Sequence, residues 1–437
     1  MPSFASTMRE LSRSPSARWR RERDDVIFYT PFIGDILSSR SLSPPGGAET
    51  QILMLSKALA KRGLRVAIIA YGDPADLPEQ VDGVRILARR RYREGNKRII
   101  HKALEALRIW KALWCAPSRT VVYRCASLEL GLVALYTTIS GRRLLFSIAN
   151  VVDFQFNQLA RKGWHVPLYR LGVRLADAIV VQTEEQVPMC EATFRRRPHL
   201  IKSLSPLVGL TGEEPEAFLW VGRLVRYKQP LAYVELARAV PEAHFRMVGV
   251  LPHDDREHSL AAQVVAAAEE VPNLELLPPR SNAALGQLMA HAVASVNTGL
   301  WEGMPNVLLE AWSRGVPALV LEHDPGGVVN KYSLGGFAGG SRTKFAELAR
   351  DQWYSRHHRS EVAQRCRAYV AAHHAPDVVA IQWVELLASH STGLESQASS
   401  TIALAREDSP HDKDRRSQPV PRANARDEPM RSVRQGT

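Results

Sequence analysis

The sequence predicts an α/β protein built from two open, doubly wound parallel sheets in succession. Three observations carry that reading. Short apolar runs of buried-strand type alternate with stretches of helical apolar spacing, which marks a mainly parallel sheet. The alternation runs from Val26 to about Thr183 and starts again at Ala217. The chain has 437 residues, more than one hydrophobic core usually supports.

Residues 1–24 are rich in Arg and Ser and read as a disordered N-terminus. Order begins at "VIFYTPF", Val26–Phe32, a first strand. "LSPPGGAET" is a Pro/Gly loop. "TQILMLSKALAKRG" has helical spacing and stops at Gly63, a residue suited to the position past a helix end. "LRVAIIAYG", "GVRIL", "RTVVYR", "RRLLFSIA" and "DAIVVQT" complete the strands of a first domain, 25–205. The joint falls near Lys202–Glu214. A second domain, 206–376, runs from "AFLWVGRL" through "AHFRMVG", "LELLP", "ASVNTG" and "PALVLEH", with helices between. A long helical segment is expected over about Lys344–His374. The helix within 377–390 is expected to cross back to the first domain. Residues 391–437 lack any apolar period and read as a disordered tail.

Composition narrows the function classes. Hydrophobic residues make up 45% of the chain, as in soluble globular proteins. No apolar run reaches the roughly 18–20 residues of a membrane span, and the N-terminus lacks the apolar stretch of a secretory signal, so a cytoplasmic location is expected. Cys115, Cys125, Cys190 and Cys366 show no metal spacing and read as inert thiols. The net charge of +12 favours an anionic partner. The basic residues are scattered and form no recognised nucleic-acid module, so nucleic acid is not expected as a partner.

Open α/β sheets bind ligands outside the carboxyl ends of their strands, so candidate residues should follow strands. Gly46 and Gly47 lie between the first strand and the first helix, where backbone can approach an anion. They serve equally as a tight turn. Arg223 and Lys228 follow the strand in "WVGRLVRYKQP" and suit a diphosphate; Arg226 is a third candidate cation. "NTGLWEGMPNVLLEAWSRGVPAL" places Glu302 in the loop after a strand and Glu310 inside the following helix, amid residues that read as its buried face. A buried carboxylate is costly unless paired. Pro305 suits the helix start, and Asn306 and Glu310 share one face of the helix. A carboxylate there suits the vicinal hydroxyls of a sugar.

These motifs, with "GGAETQILMLSKALAKRGLRV", "ADAIVVQTEEQ" and "DPGG", resemble the group 1 glycosyltransferases, glycosyltransferase family four. The resemblance covers roughly Val26–Ser389 and implies a GT-B fold: two Rossmann-like doubly wound parallel-sheet domains facing a central cleft. It implies that Arg223 and Lys228 hold the donor diphosphate, Glu310 the ribose and Glu302 the transferred sugar. Gly46, Gly47, Gly303, Met304 and Asn306 complete the expected donor site. It further implies a retaining hexosyl transfer from a nucleotide sugar to a saccharide or lipid-linked acceptor in cell-surface polysaccharide synthesis. No cofactor and no metal are expected, the nucleotide sugar being a substrate.

Many relatives carry a histidine after the strand that reads "LLFSIANVVDF" here. This chain has Asn150 and Asp153 instead, and either is a candidate beside the sugar. Asn150 can hydrogen-bond a hydroxyl but cannot titrate near neutral pH. Without that histidine, a catalytically silent nucleotide-sugar-binding or scaffold protein is the rival reading. Arg124, after "TVVY", is expected either to line the acceptor side or to form a structural salt bridge. "GNKRIIHKALEALRIWKALWCAPS", Gly95–Ser118, sets Lys97, Arg98, Lys102, Arg108 and Lys111 among helically spaced apolar residues. Such a segment either packs on the sheet or lies on an anionic membrane surface, which would make the protein peripheral to the membrane.

Overall fold

The computed structural model describes residues 23–30, 33–38, 46–90, 99–155, 165–209, 213–251 and 257–389, with the side chains of 35 and 99–105 left out. Most of the expected disordered N-terminus and all of the expected tail, 391–437, lie outside the described residues. A compact unit extends to Leu387, and a second unit begins at Ala388.

Strands β1 (Asp24–Tyr29), β2 (Val66–Tyr71), β3 (Gln80–Val81), β4 (Val84–Arg89), β5 (Ser118–Arg124), β6 (Arg143–Ser147), β7 (Ala178–Val181) and β8 (His199–Leu200) form the first sheet, in the order β3-β4-β2-β1-β5-β6-β7-β8. Every pair is parallel except β3 with β4. The first strand starts at Asp24, earlier than the apolar run implies. The Asp24 amide donates to Pro117 and its buried carboxylate pairs with Arg85. A charged residue therefore begins a strand that hydropathy alone starts at Val26.

Successive side chains of a strand point to opposite faces, and β1 shows the consequence. Ile27 and Tyr29 enter the core with Ile109, Leu113, Val133 and Tyr169. Val26 and Phe28 enter the opposite one with Ile52, Leu55 and Leu59 of helix Gly47–Lys61. That second core also takes Val379, Ala380, Trp383 and Leu386 from helix Pro376–Ala388, so the last described helix packs on the first sheet. Arg62 holds its start at Asp377, and Arg143 donates to Leu386 and Leu387 near its end.

The second sheet is wholly parallel. Its strands are β9 (Ala217–Arg223), β10 (Phe245–Val250), β11 (Leu274–Leu277), β12 (Ala292–Asn297), β13 (Ala318–Val320) and β14 (Gly335–Phe337), ordered β11-β10-β9-β12-β13-β14. Phe218 and Trp220 face one core with Tyr233, Phe245 and Phe345. Leu219 and Val248 face the other with Met289, Ala311 and Val316.

The long helix expected over Lys344–His374 is in fact two, Arg342–Tyr354 and Ser360–His373. The break has local causes. Ser355 Oγ donates back to the Asp351 carbonyl at 2.6 Å, Arg356 folds over the Trp353 ring, and Arg359 turns to the carbonyl of Ala292. None of these alters the apolar period, which is why the sequence reads as continuous.

Both sheets reverse their winding beside their first strand, between β1 and β5 and between β9 and β12. Ligands of such sheets settle in the crevice at that switch point, outside the carboxyl ends.

Candidate active site between the two sheets

The second sheet's switch point gathers three of the expected residues. Arg223 ends β9, Lys228 closes the short turn after it, and Glu302 lies in the loop after β12. Lys228 Nζ stands 2.6 Å from Glu302 Oε1, and Glu302 is only 8% exposed. Burial alone would lower the lysine's pKa, but Glu302 and the Tyr227 hydroxyl outweigh it and the net shift is upward. Lys228 is therefore held as a cation.

Thr298 fixes the two loops against each other. Its hydroxyl donates to the Lys228 carbonyl at 2.6 Å and accepts from Trp220 Nε1 at 3.0 Å. Gln229 Nε2 donates to the Thr298 carbonyl, and the Leu300 amide donates to the Tyr227 carbonyl. Gln229 itself has φ 45°, a conformation costly for a residue with a Cβ. This small strain sits directly after Lys228 and is held by the hydrogen bonds around it. Arg223 is exposed and donates to the Tyr227 hydroxyl at 3.2 Å. Arg226 is also exposed, with Nε 3.8 Å from Glu257.

Glu310 departs from its expected setting. Helix Asn306–Ser313 buries Leu308, Leu309, Ala311 and Trp312, while Glu310 lies on the exposed side. Its pKa is still raised, by partial desolvation first, with Arg314 opposing. An exposed carboxylate needs no internal partner, so the cost inferred from its apolar neighbours does not arise. Gly315, with φ 77°, stops the helix, and a Cβ there would meet Ala363 at 2.9 Å.

Asn306 bonds to the first half of the chain. Its side chain accepts from Gln51 at 3.0 Å and donates to the Gly47 carbonyl at 2.9 Å. Gln51 in turn exchanges two hydrogen bonds with the Leu204 backbone. Asn306 thus ties the second sheet's site helix to helix Gly47–Lys61 and to the linker. Gly46 caps that helix, and Gly47 opens it. A Cβ on Gly303 would lie 2.4 Å from the Ala149 carbonyl, so glycine allows the two halves to touch there. Met304 is buried among Leu308, Leu309 and Trp312.

Asn150 and Asp153 lie across the cleft in one capping unit. Asp153 is buried and its carboxylate accepts from the amides of Ala149, Asn150 and Ala126. Burial raises its pKa against those hydrogen bonds and Arg124. The Asn150 side chain accepts from the Val152 amide at 3.2 Å. Asn150 is the member that lines the cavity; Asp153 holds its loop. Arg124 donates to Ser147 Oγ at 3.1 Å.

The sequence names Asn150 and Arg226 here but not the residues around them. Asn150, Val152, Arg226, Tyr227, Glu257, Leu300 and Trp301 line a cavity of about 400 Å3. Tyr227 and Trp301 stack at 6.4 Å, planes 11° apart. The available signal was position, since each aromatic immediately precedes a member of the Lys228–Glu302 pair. His323, in the loop after β13, stands 3.3 Å from Glu185 of the first half. Among the described residues, no cluster of His, Cys, Asp and Glu is placed to hold a metal ion, and no helix is long and apolar enough to cross a membrane.

Comparison with known proteins agrees with this architecture. The model of the Glycosyl transferase 4-like domain matches residues 46–201, and that of Glycosyl transferases group 1 matches 215–346. No curated protein sequence matches the chain. Among solved structures, the sucrose-phosphate synthase of Thermosynechococcus elongatus is similar at a TM-score of 0.68 and 14% identity, over 84% of this chain and 99% of that one. HepE of Anabaena, in complex with UDP and glucose, aligns at 0.64 and 14%, over 84% and 100%. A glycosyltransferase of Rickettsia africae aligns at 0.63 and 11%, over 84% and 98%. At such identities these structures speak for the fold, while the two family matches fall one on each sheet. The chain belongs to the group 1 glycosyltransferases of the GT-B fold.

Proposed function

We propose that the protein is a retaining, metal-independent hexosyltransferase. It moves a sugar from a nucleotide-sugar donor to a saccharide or lipid-linked acceptor in cell-surface polysaccharide synthesis. The observation that carries the reading is the part-buried Lys228–Glu302 pair at the β9/β12 switch point, with Arg223 beside it. HepE, one of the similar structures, was solved with UDP-glucose, which makes that donor the first to test.

The barrier lies in breaking the bond between the anomeric carbon and the diphosphate oxygen. Negative charge then grows on the departing diphosphate. Fixed cations aimed at developing charge are the strongest lever available to a protein, and Lys228 and Arg223 supply them here. Lys228 is held as a cation by Glu302, so it needs no proton uptake during the step. The Glu302 oxygens can also accept from the sugar's hydroxyls. Glu310, exposed on the cleft helix, can accept from two vicinal ribose hydroxyls. The acceptor hydroxyl attacks on the face that the diphosphate leaves, its oxygen bonds to the anomeric carbon, and its proton passes to the departing diphosphate. Asn150 can position a hydroxyl but takes no proton.

Membrane association forms part of the proposal. Helix Ile99–Trp114 buries Ile109 and Leu113 on the first sheet while leaving Leu107 61% and Trp114 74% exposed. The helix thus packs and still presents an aromatic and an aliphatic residue near Arg108 and Lys111. Trp114→Ser should reduce co-sedimentation with anionic vesicles at low salt. Equal sedimentation of both proteins would remove the membrane from the proposal.

The transfer itself is tested by incubating the protein with labelled UDP-glucose and a lipid-linked saccharide extract, with and without a chelator. Label should enter the extract equally in both. Saturable donor binding without transfer or donor hydrolysis would favour a silent binding protein.

A further inference from the structure

Two loops meet along a seam between the halves of the molecule. One follows β7 and covers residues 182–186, up to the start of helix Gln186–Phe194. The other follows β13 and covers residues 323–327. His323 Nε2 stands 3.3 Å from Glu185 Oε1, and Lys331 Nζ stands 3.4 Å from Glu184 Oε2. A Cβ on Gly326 would lie 3.4 Å from Thr183, and one on Gly303 would lie 3.5 Å from Gln186 Nε2. The seam therefore borders the loop that carries Glu302.

The seam is poor in hydrogen bonds. Thr183 Oγ1, Glu185 Oε1, Gln186 Nε2 and His323 Nε2 are all buried there, and none is placed to make a well-formed hydrogen bond. Polar atoms buried in this way cost stability, and water would satisfy all four if the loops parted. Opposite charge is what opposes parting. The Lys331–Glu184 pair is half exposed on both sides and therefore weak. His323 and Glu185 are only 17% and 29% exposed, so their attraction is less screened. It also depends on a proton, because histidine changes charge near neutral pH.

Burial alone would lower the pKa of His323. The facing Glu185, with the charges of Glu302 and Asp324 behind it, outweighs burial, and the net shift is upward from 6.5. Glu302 is itself paired with Lys228, and Asp324 accepts from the Val329 and Asn330 amides. Farther along the seam, Lys202 and His373 act on Glu184 and Lys331. Burial moves His373 downward and His374 down to about 3, so neither changes charge as pH rises above about 6.5. We propose that His323 and Glu185 form a latch between the two halves, closed while His323 carries a proton and released when it loses it. The protonated imidazole attracts the Glu185 carboxylate. The neutral ring leaves that buried oxygen uncompensated, and the loops part to hydrate it. The stabilisation is complete below about pH 6.5 and is lost as pH rises through the raised value. The latch acts on the halves themselves, so it stands or falls separately from the identity of any donor.

Hydrogen–deuterium exchange on the full chain, with no donor added, tests it at about pH 6 and about pH 8.5. Exchange times are corrected for the intrinsic effect of pH on amide exchange. In the wild type, amides within 182–190 and 323–331 should exchange about threefold or more faster at the higher pH, the scale of one charge pair. Strand β9 serves as the internal reference and should keep its protection. Glu185→Gln and His323→Gln should each exchange at the faster level at both pH values, with β9 still protected. Equal corrected exchange of the two segments at both pH values in the wild type overturns the latch, whatever the variants do. So does a pH difference that survives in either variant with β9 protected, which would assign the effect to another group.

Discussion

Lys228 and Glu302 are neighbours in space though far apart in sequence, and each changes what the other can do. Neither would be stable as a lone buried charge. Together they keep a cation at the end of β9 and leave carboxylate lone pairs toward the cleft. Lys228→Ala should therefore lower transfer by about a hundredfold or more, read as kcat in a UDP-release assay. Glu310 acts differently, because it is exposed. Glu310→Gln should weaken donor binding by about tenfold, the scale of one charge-assisted hydrogen bond, with little change in melting temperature. Wild-type donor affinity in that variant would put the ribose elsewhere. The convergence of Arg223, Lys228 and Glu302 was legible in the sequence, because all three follow strands. The exposure of Glu310 and the turn of Asn306 toward Gly47 were not. A run such as Val-Leu-Leu-Glu-Ala-Trp gives the apolar stripe, but the rotation of the helix against its sheet decides what the polar positions face.

At the scale of elements, the loops after β9 and β12 and the helix Asn306–Ser313 behave as one clamp against the first half. Gly303 is one point of close approach, where a Cβ would lie 2.4 Å from the Ala149 carbonyl oxygen. Gly303→Ala should destabilise the fold by about 1–3 kcal/mol, the usual cost of overpacking, or hold the cleft open. Chemical denaturation, with donor affinity measured alongside, checks this; an unchanged midpoint and unchanged affinity would mean the two halves do not need to meet there. Elements were the level at which sequence did best. Hydrophobic period located eleven of the fourteen strands described, including most of the second alternation, and missed the short β3, β8 and β14. It failed at Ser355–Arg359, where a turn is made by side chains bonding back to backbone, and at Asp24, where an ion pair extends a strand beyond its apolar run.

At the scale of the whole molecule, His374 is one of the places where the second half meets the linker. Fully buried, it faces the Ser203 carbonyl of the linker at 2.6 Å and the Tyr369 hydroxyl at 3.2 Å. Its backbone carbonyl accepts from Ser205. Burial, opposed by the Ser203 carbonyl and reinforced by Lys202 and His373, lowers its pKa from 6.5 to about 3. Between those values the unfolded chain binds a proton that the folded chain does not. This contribution is complete above about pH 6.5 and is lost as pH falls toward about 3, at up to about 1.4 kcal/mol per pH unit. His374→Gln should flatten the acid limb of stability against pH; parallel curves for the two proteins would show that this joint does not titrate as described. Nothing in the sequence marks His374, because its meaning depends on a linker contact that only the folded chain makes.

The central claim is that one cleft, at the switch point of the second sheet, holds a nucleotide sugar through Lys228. Calorimetric titration of UDP-glucose into the wild type and Lys228→Ala tests it most directly. The expected result is saturable one-to-one binding in the wild type, weakened at least about tenfold in the variant, as the loss of a charge-assisted contact requires. Equal affinity in both proteins would contradict the assignment of this pair to the donor.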